Sequence, residues 1–137
     1  MDYIARLSSI IAPGTRALVI DDSATTRRIF RSQLESLAIE VAEASDGKEA
    51  LEYLEREIES TQLVLSDISM PTMDGFEFCY RLQQAPWYDG TPLVMVSTQS
   101  DATSVIRVLK LGADDYIPKP FDQEVLAQVI GRVMTHG

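Results

Sequence analysis

An α/β fold built on a parallel sheet is what this sequence predicts, and three observations predict it. Short apolar runs recur along the chain: Ala17-Leu18-Val19-Ile20, Leu63-Val64-Leu65, Leu93-Val94-Met95-Val96 and Tyr116-Ile117. Near-continuous apolar runs of this length are the pattern of strands buried on both faces. Each run gives way to a segment whose apolar residues return at helical spacing, and strand–helix alternation builds parallel sheets. The third observation is where the reactive side chains fall. Asp21-Asp22, Asp67, Ser97 and Lys119 all stand at the ends of apolar runs, and in open parallel sheets ligands collect outside the carboxyl ends of the strands. These five groups are expected to meet in one pocket.

The elements follow in order. Ser23 is a good N-cap for a first helix running to about Leu37, with Ile29, Phe30, Gln33, Leu34 and Leu37 tracing one face. Residues Ile39 to Ala44 alternate as a strand does. Asp46-Gly47 marks a turn, after which Lys48 to about Glu59 sets Ala50, Leu51, Leu54 and Ile58 at helical spacing against a charged outer face. The third strand delivers Asp67 into Ile68-Ser69-Met70-Pro71-Thr72-Met73-Asp74-Gly75, a loop whose Pro and Gly stop both neighbouring elements. A third helix is predicted over Phe76 to Gln84, followed by a turn-rich connection through residues 85–92. The fourth runs from about Ala102 to Leu111 with Gly112 at its C′ position, and the fifth from about Gln123 to Met134. Upstream of Arg16, Ile4, Leu7, Ile10 and Ile11 fall close to one helical face. They predict an extra N-terminal helix docked on the domain or on a partner. Pro13-Gly14 is a natural boundary, which gives an N-terminal extension over 1–14 and a single domain over 15–137.

Composition narrows the function classes. A chain of 137 residues with 45% hydrophobic content can build one ordinary core without staples. A formal charge of −9 and a pI near 4.5 disfavour direct nucleic-acid binding, which rests on Lys and Arg neutralising phosphates. The single cysteine, Cys79, has no internal disulfide partner and reads as a core residue of the third helix. No run approaches the length of a membrane span. Residues 1–13 lack the apolar centre and small-residue cleavage site of a signal peptide. A cytoplasmic protein without membrane contact is the expectation.

The acidic residues point to a hard cation. Two adjacent carboxylates after one strand and a third after a neighbouring strand supply oxygen ligands of the kind Mg2+ takes, and no His or Cys cluster favours zinc. Bunched carboxylates repel, so a metal and Lys119 are needed to keep them ionised. A carboxylate in that setting is also a competent nucleophile toward phosphorus, and phosphoryl transfer asks mainly for positioning and charge neutralisation. Asp67 is assigned as nucleophile, Asp22 as the direct metal carboxylate and Asp21 as a ligand acting directly or through water. The backbone carbonyl of Ser69 is a further metal ligand, Lys119 pairs with a phosphoryl oxygen, and Ser97 donates a hydrogen bond to another. Two plainer readings compete: Asp21 and Asp22 as helix caps, and Tyr116 as a core aromatic.

Four segments, Val19-Ile20-Asp21-Asp22-Ser23, residues 65–75 from Leu65 to Gly75, Val96-Ser97, and residues 112–121 from Gly112 to Phe121, closely resemble the receiver domain of two-component response regulators, the CheY-like family. The resemblance covers nearly all of Arg16 to Val133 and keeps the motif order. It implies a flavodoxin-like (βα)5 doubly wound sheet of strand order 2-1-3-4-5, the order of CheY itself. It also implies phosphotransfer from a histidine kinase or phosphotransfer protein to Asp67, with Mg2+ required. On phosphorylation Ser97 would move toward the phosphoryl group and Tyr116 would turn inward, remodelling the face made by the fourth helix, fifth strand and fifth helix. The resemblance makes the Lys119-Pro120 bond cis. Thr98 stands where the family generally has Ala or Gly and would narrow access to the site, while Ser69 occupies a position that often tunes phosphoryl lifetime.

The implied function is a phosphoacceptor switch that catalyses its own phosphorylation and dephosphorylation rather than a metabolic enzyme. It would act on a downstream protein partner or on an output domain beyond this chain, with phosphorylation-dependent homodimerisation as a further expectation. An aspartate-nucleophile phosphatase shares the acyl-phosphate chemistry, but places its nucleophile after the first strand with a second Asp two residues on. Here Ser23 and Ala24 follow the acidic pair. A receiver used constitutively through protein contacts is the other alternative, and the complete acidic set speaks against it.

Overall fold

The computed structural model describes residues 11–99 and 101–135. Across these, β1 (Arg16–Ile20), α1 (Ala24–Glu35), β2 (Glu40–Ala44), α2 (Gly47–Glu57), β3 (Leu63–Ser66), α3 (Gly75–Gln84), β4 (Leu93–Ser97), α4 (Ala102–Lys110), β5 (Asp115–Pro118) and α5 (Gln123–Thr135) alternate strictly. The strands form one parallel sheet of order β2-β1-β3-β4-β5, the flavodoxin-like arrangement. The predicted N-terminal helix with Ile4, Leu7 and Ile10, and the terminal His136, lie outside the described residues. Ile11 is described, and it packs against the core on the α1 and α5 side.

Alternation along each strand decides which layer a residue meets, because successive side chains point to opposite faces. Ala17 and Val19 of β1, Leu63 and Leu65 of β3, and Val94 and Val96 of β4 face Phe30 and Leu34 of α1 and Leu126, Val129 and Ile130 of α5. Leu18, Ile20, Val64, Leu93 and Met95 face Ala50 and Leu54 of α2, Phe78, Cys79 and Leu82 of α3, and Val108 of α4. Both faces of the central strands are therefore covered. That is why the runs read as continuously apolar.

The helix starts are written in side chains. Ser23 caps α1 by accepting from the Thr26 N–H at 3.2 Å, and Asp46, Asp74 and Asp101 cap α2, α3 and α4 in the same way. The structure departs from the sequence expectation in three places. Helix α1 ends at Glu35 rather than Leu37, because the chain turns through Ala38 at φ 64° and the Ile39 N–H closes back on the Leu34 carbonyl. Leu37 stays buried beyond the helix end. Helix α2 gives way at Ile58 to a short 3-10 turn, Ile58–Ser60. Ile29, expected on the buried face of α1, is 52% exposed; Phe30 and Leu34 already fill that contact, and Ile29 is rotated round the helix into an apolar cleft with Phe121 and Pro120. Gly112 closes α4 at φ 116° as its position predicts.

The loop after β3 is tightly bent. The Met73 N–H donates to the Pro71 carbonyl at 2.6 Å across Thr72, which sits at φ 69°. This is a conformation that β-branched residues avoid, and such strain concentrates at functional sites. The Gly75 N–H then donates to the Ile68 carbonyl at 2.7 Å, folding the loop back on its own start. A Cβ at Gly75 would lie 2.5 Å from the Asp67 carbonyl oxygen and 2.6 Å from Ile68 Cα. Backbone cannot yield there as a flexible side chain could. Gly75→Ala is expected to lower unfolding stability by about 1–3 kcal/mol, read as a reduced urea midpoint at unchanged slope.

Candidate functional site

The sheet ladder itself delivers the reactive groups. Past the last paired residues, the Asp21 N–H donates to the Ala44 carbonyl at 3.1 Å, the Asp67 N–H to the Ile20 carbonyl at 2.9 Å and the Lys119 N–H to the Ser97 carbonyl at 2.9 Å. Each hydrogen bond extends the strand pattern by one step. Asp21, Asp67, Ser97 and Lys119 are thereby fixed along one edge of the sheet by backbone geometry. The Lys119-Pro120 peptide is cis.

Lys119 joins the carboxylates. Its Nζ donates to Asp21 Oδ2 at 2.8 Å and to Asp67 Oδ2 at 3.3 Å. Burial opposes the charged ammonium, but the hydrogen bond to Asp21 and the charges of Asp67 and Asp21 outweigh it, so the Lys119 pKa is raised above its ordinary 10.5. Asp21 is 2% exposed and has both carboxylate oxygens engaged, Oδ2 by Lys119 and Oδ1 by the Ser23 N–H at 2.9 Å. Asp67, at 9% exposure, accepts from the Ile68 N–H at 2.7 Å on Oδ1. Asp22 is exposed. Its carboxylate does not cap α1, because Ser23 does.

Those three carboxylates offer oxygen atoms all within 4.8 Å of one another. A set of oxygen donors only, one of them open to solvent, fits a hard divalent cation that retains several waters. Cys79 is buried under α4, with its Sγ directed at the Leu111 carbonyl at 3.4 Å, and its thiol is pushed up to about 11, chiefly by burial. It contributes nothing to this edge. Of the three carboxylates, Asp22 is the one open to solvent, while Asp21 has both oxygens engaged.

Ser97 is fully buried and its Oγ accepts from the Gln99 N–H at 3.1 Å. Tyr116 is half-buried, and its hydroxyl donates to the Ser97 carbonyl at 3.0 Å and to the Gln99 carbonyl. Burial first, then the negative charges of Asp101 and Asp67, raise the Tyr116 pKa and keep the phenol a neutral donor. Gln99 also reaches across the mouth of the site, its side-chain amide donating to Ser69 Oγ at 2.6 Å. Thr98 and Ser69 are both exposed at that mouth.

Two residues of the site are not evident from the sequence. Gln99 touches Ser97, Tyr116 and Ser69 at once, but a polar residue in a loop carries no periodicity to mark it. Arg27 of α1 donates to the backbone carbonyl of Asp21 at 2.6 Å. A signal for it exists: a basic residue one turn into a helix opposes the helix dipole and needs a partner elsewhere.

The raised Lys119 pKa fixes a pH dependence. A group whose folded pKa lies above its unfolded value contributes stability that is fully present below the unfolded pKa and is lost as pH rises through the folded one. The difference in unfolding free energy between wild type and Lys119→Met is therefore expected to hold steady from neutrality to about pH 10 and to shrink above it, measured by urea titration at each pH.

Comparison with known proteins agrees with this geometry. A family model described as response regulator receiver domain matches residues 17–131. The chain is 40% identical over 119 residues to a probable transcriptional regulator, ycf27, of Porphyridium aerugineum, covering 87% of this chain and 48% of that protein. It is 36% identical over 123 residues to a chemotaxis protein CheY homolog of Campylobacter jejuni, covering 89% of this chain and 94% of that one. It thus spans about half of the first relative and nearly all of the second. Among solved structures, Vibrio cholerae chemotaxis protein CheY4 superposes with a TM-score of 0.81 at 31% identity, over 89% of this chain and 99% of that one. With a sheet of order 2-1-3-4-5 ending in three carboxylates and a lysine, this chain belongs to the CheY-like response regulator receiver domains of two-component signalling.

Proposed function

We propose that this receiver domain is a phosphoacceptor switch whose nucleophile is Asp67. The observation that carries the reading is the Lys119 ammonium shared between Asp21 and Asp67, with the exposed Asp22 carboxylate beside them. An Asp67 carboxylate oxygen attacks the phosphorus of a phosphohistidine on a histidine kinase or phosphotransfer protein. The N–P bond breaks, its electron pair returns to the imidazole, and an acyl phosphate forms on Asp67. Water later attacks the same phosphorus, the bond from Asp67 oxygen to phosphorus breaks, and inorganic phosphate leaves with the carboxylate regenerated. Asp22, Asp67 and the Ser69 carbonyl, with Asp21 directly or through water, would hold Mg2+, which would supply charge neutralisation for the phosphoryl oxygens.

The chain's own groups do the rest. Lys119 exchanges one carboxylate contact for a phosphoryl oxygen, which a point charge on a flexible stem can do at little cost. Ser97 Oγ, which accepts from the Gln99 N–H in this structure, turns its hydroxyl to a second phosphoryl oxygen. The phosphoryl group brings roughly two negative charges and three strong acceptors. Because the Tyr116 hydroxyl is bonded to the carbonyls of Ser97 and Gln99, a shift of that backbone carries the ring with it and reshapes the face of α4, β5 and α5. That face carries exposed Ile106, Leu109 and Val125, which suit it to a downstream partner, an output domain or a second copy. Thr98 and the Ser69–Gln99 bond narrow the approach of donor and water.

Residues 15–137 form the receiver domain in this reading and 1–14 an extension. Its setting is the cytoplasm, the compartment holding the ATP from which a kinase draws its phosphoryl group. No helix among the described residues is long and apolar enough to cross a membrane. Incubation with a phosphorylated histidine kinase is expected to add one phosphoryl group to wild type, seen by intact-mass spectrometry. Asp67→Asn, or wild type with Mg2+ chelated, is expected to show at least a hundredfold slower addition, about 3 kcal/mol in the barrier. Equal labelling of Asp67→Asn would refute the assignment.

A further inference from the structure

Arg27 stands where a helix does not favour a cation. It lies one turn into α1, near the N-terminus, where the helix dipole favours anions, and no acidic residue occupies that first turn. Contacts outside the helix offset this. Arg27 Nη1 donates to the Asp21 carbonyl at 2.6 Å and Nε to the Glu43 carboxylate of β2 at 2.9 Å, and the side chain is 18% exposed. Glu43 is held from its other side by Arg31 at 2.8 Å. The guanidinium is thus aimed by Glu43, itself held by Arg31, at one backbone oxygen.

That oxygen belongs to the peptide joining Asp21 to Asp22. Every polar atom of Asp21 is fixed: its N–H by Ala44, Oδ1 by Ser23, Oδ2 by Lys119 and its carbonyl by Arg27. Asp22 is exposed, and the peptide before it fixes the amide nitrogen to which the Asp22 Cα is attached. We propose that Arg27, aimed by Glu43, is a positioning residue that fixes the Asp21–Asp22 peptide and so places the Asp22 carboxylate for a divalent cation. This rests on the metal-site reading above.

The sign of the effect separates positioning from charge. A guanidinium acting only through its charge repels a nearby cation, so its removal tightens Mg2+ binding. One acting as a clamp gives the opposite. Arg27→Lys sharpens the contrast, since it keeps the charge while a single ammonium lacks the planar fork that meets carbonyl and carboxylate together.

The test is calorimetric Mg2+ titration of wild type, Arg27→Lys, Arg27→Gln and Glu43→Gln, with the 15N shift of the Asp22 amide recorded in each protein before metal is added. Expected are about tenfold weaker Mg2+ binding in both Arg27 variants, within the range seen for groups that orient metal ligands, a smaller weakening in Glu43→Gln, and a displaced Asp22 amide in all three. Unchanged affinity in Arg27→Lys, or tighter binding in Arg27→Gln, overturns the proposal. Should the Arg27 variants fail to fold, Glu43→Gln carries the test, and an unmoved Asp22 amide with unchanged affinity overturns it. Wild type that binds no Mg2+ overturns the metal reading and this proposal together, a result distinct from normal wild-type binding with indifferent variants.

Discussion

Three carboxylates gathered within one site would repel one another in the absence of compensating charge, and the Lys119 ammonium bridges two of them, Asp21 and Asp67. It reaches Asp21 and Asp67 from the far side of β4, so it ties the ends of β1, β3 and β5 across the sheet. Removing one partner of a buried charge pair typically costs about 3–5 kcal/mol, because the other charge is left without compensation. Asp21 at 2% exposure lies near that limit. The same contact sets a compensating charge beside Asp67, whose proposed role as nucleophile calls for the carboxylate form.

Everything else at the site is arranged by the sheet. Parallel register continues one residue beyond β1, β3 and β5, so backbone hydrogen bonds rather than side-chain preferences set the spacing of Asp21, Asp67 and Lys119. Close-packed layers on both faces leave this edge rigid. Ser97, Gln99, Tyr116 and Ser69 are joined by short contacts across the ends of β4 and β5 and two adjoining loops. The proposed switch would set a rigid nucleophile beside that network, since a ligand shifts a conformational equilibrium only through contacts that differ between its states.

What is legible in the sequence follows from locality. The apolar runs, the Ser23 cap and the Gly112 stop are written in neighbouring residues, and the structure has all three at the expected positions. The gathering of Asp21, Asp22, Asp67 and Lys119 is legible because a parallel sheet brings strand ends together whatever the helices do. Ile29 turns outward against expectation because helical periodicity gives a face only to within a residue, and the packing of Phe30 against Phe121 decides which side is covered. The end of α1 depends on a left-handed turn at Ala38, a residue type that gives no warning of one. Gln99 acts through partners on strands and a loop that leave no pattern along the chain, while Arg27 is marked only as a cation one turn into a helix, which does not name its partner.

Asp67, and neither member of the acidic pair, is the group proposed to take the phosphoryl group, and everything said of the switch depends on that choice. Borohydride reduces an acyl phosphate to an alcohol, converting the modified aspartate to homoserine, so reduction after incubation with acetyl phosphate and Mg2+ followed by peptide mapping reads the position directly. Homoserine at position 67 alone is the predicted result. Homoserine at position 21 or 22, or none in a protein that binds Mg2+ and carries the label, would contradict it.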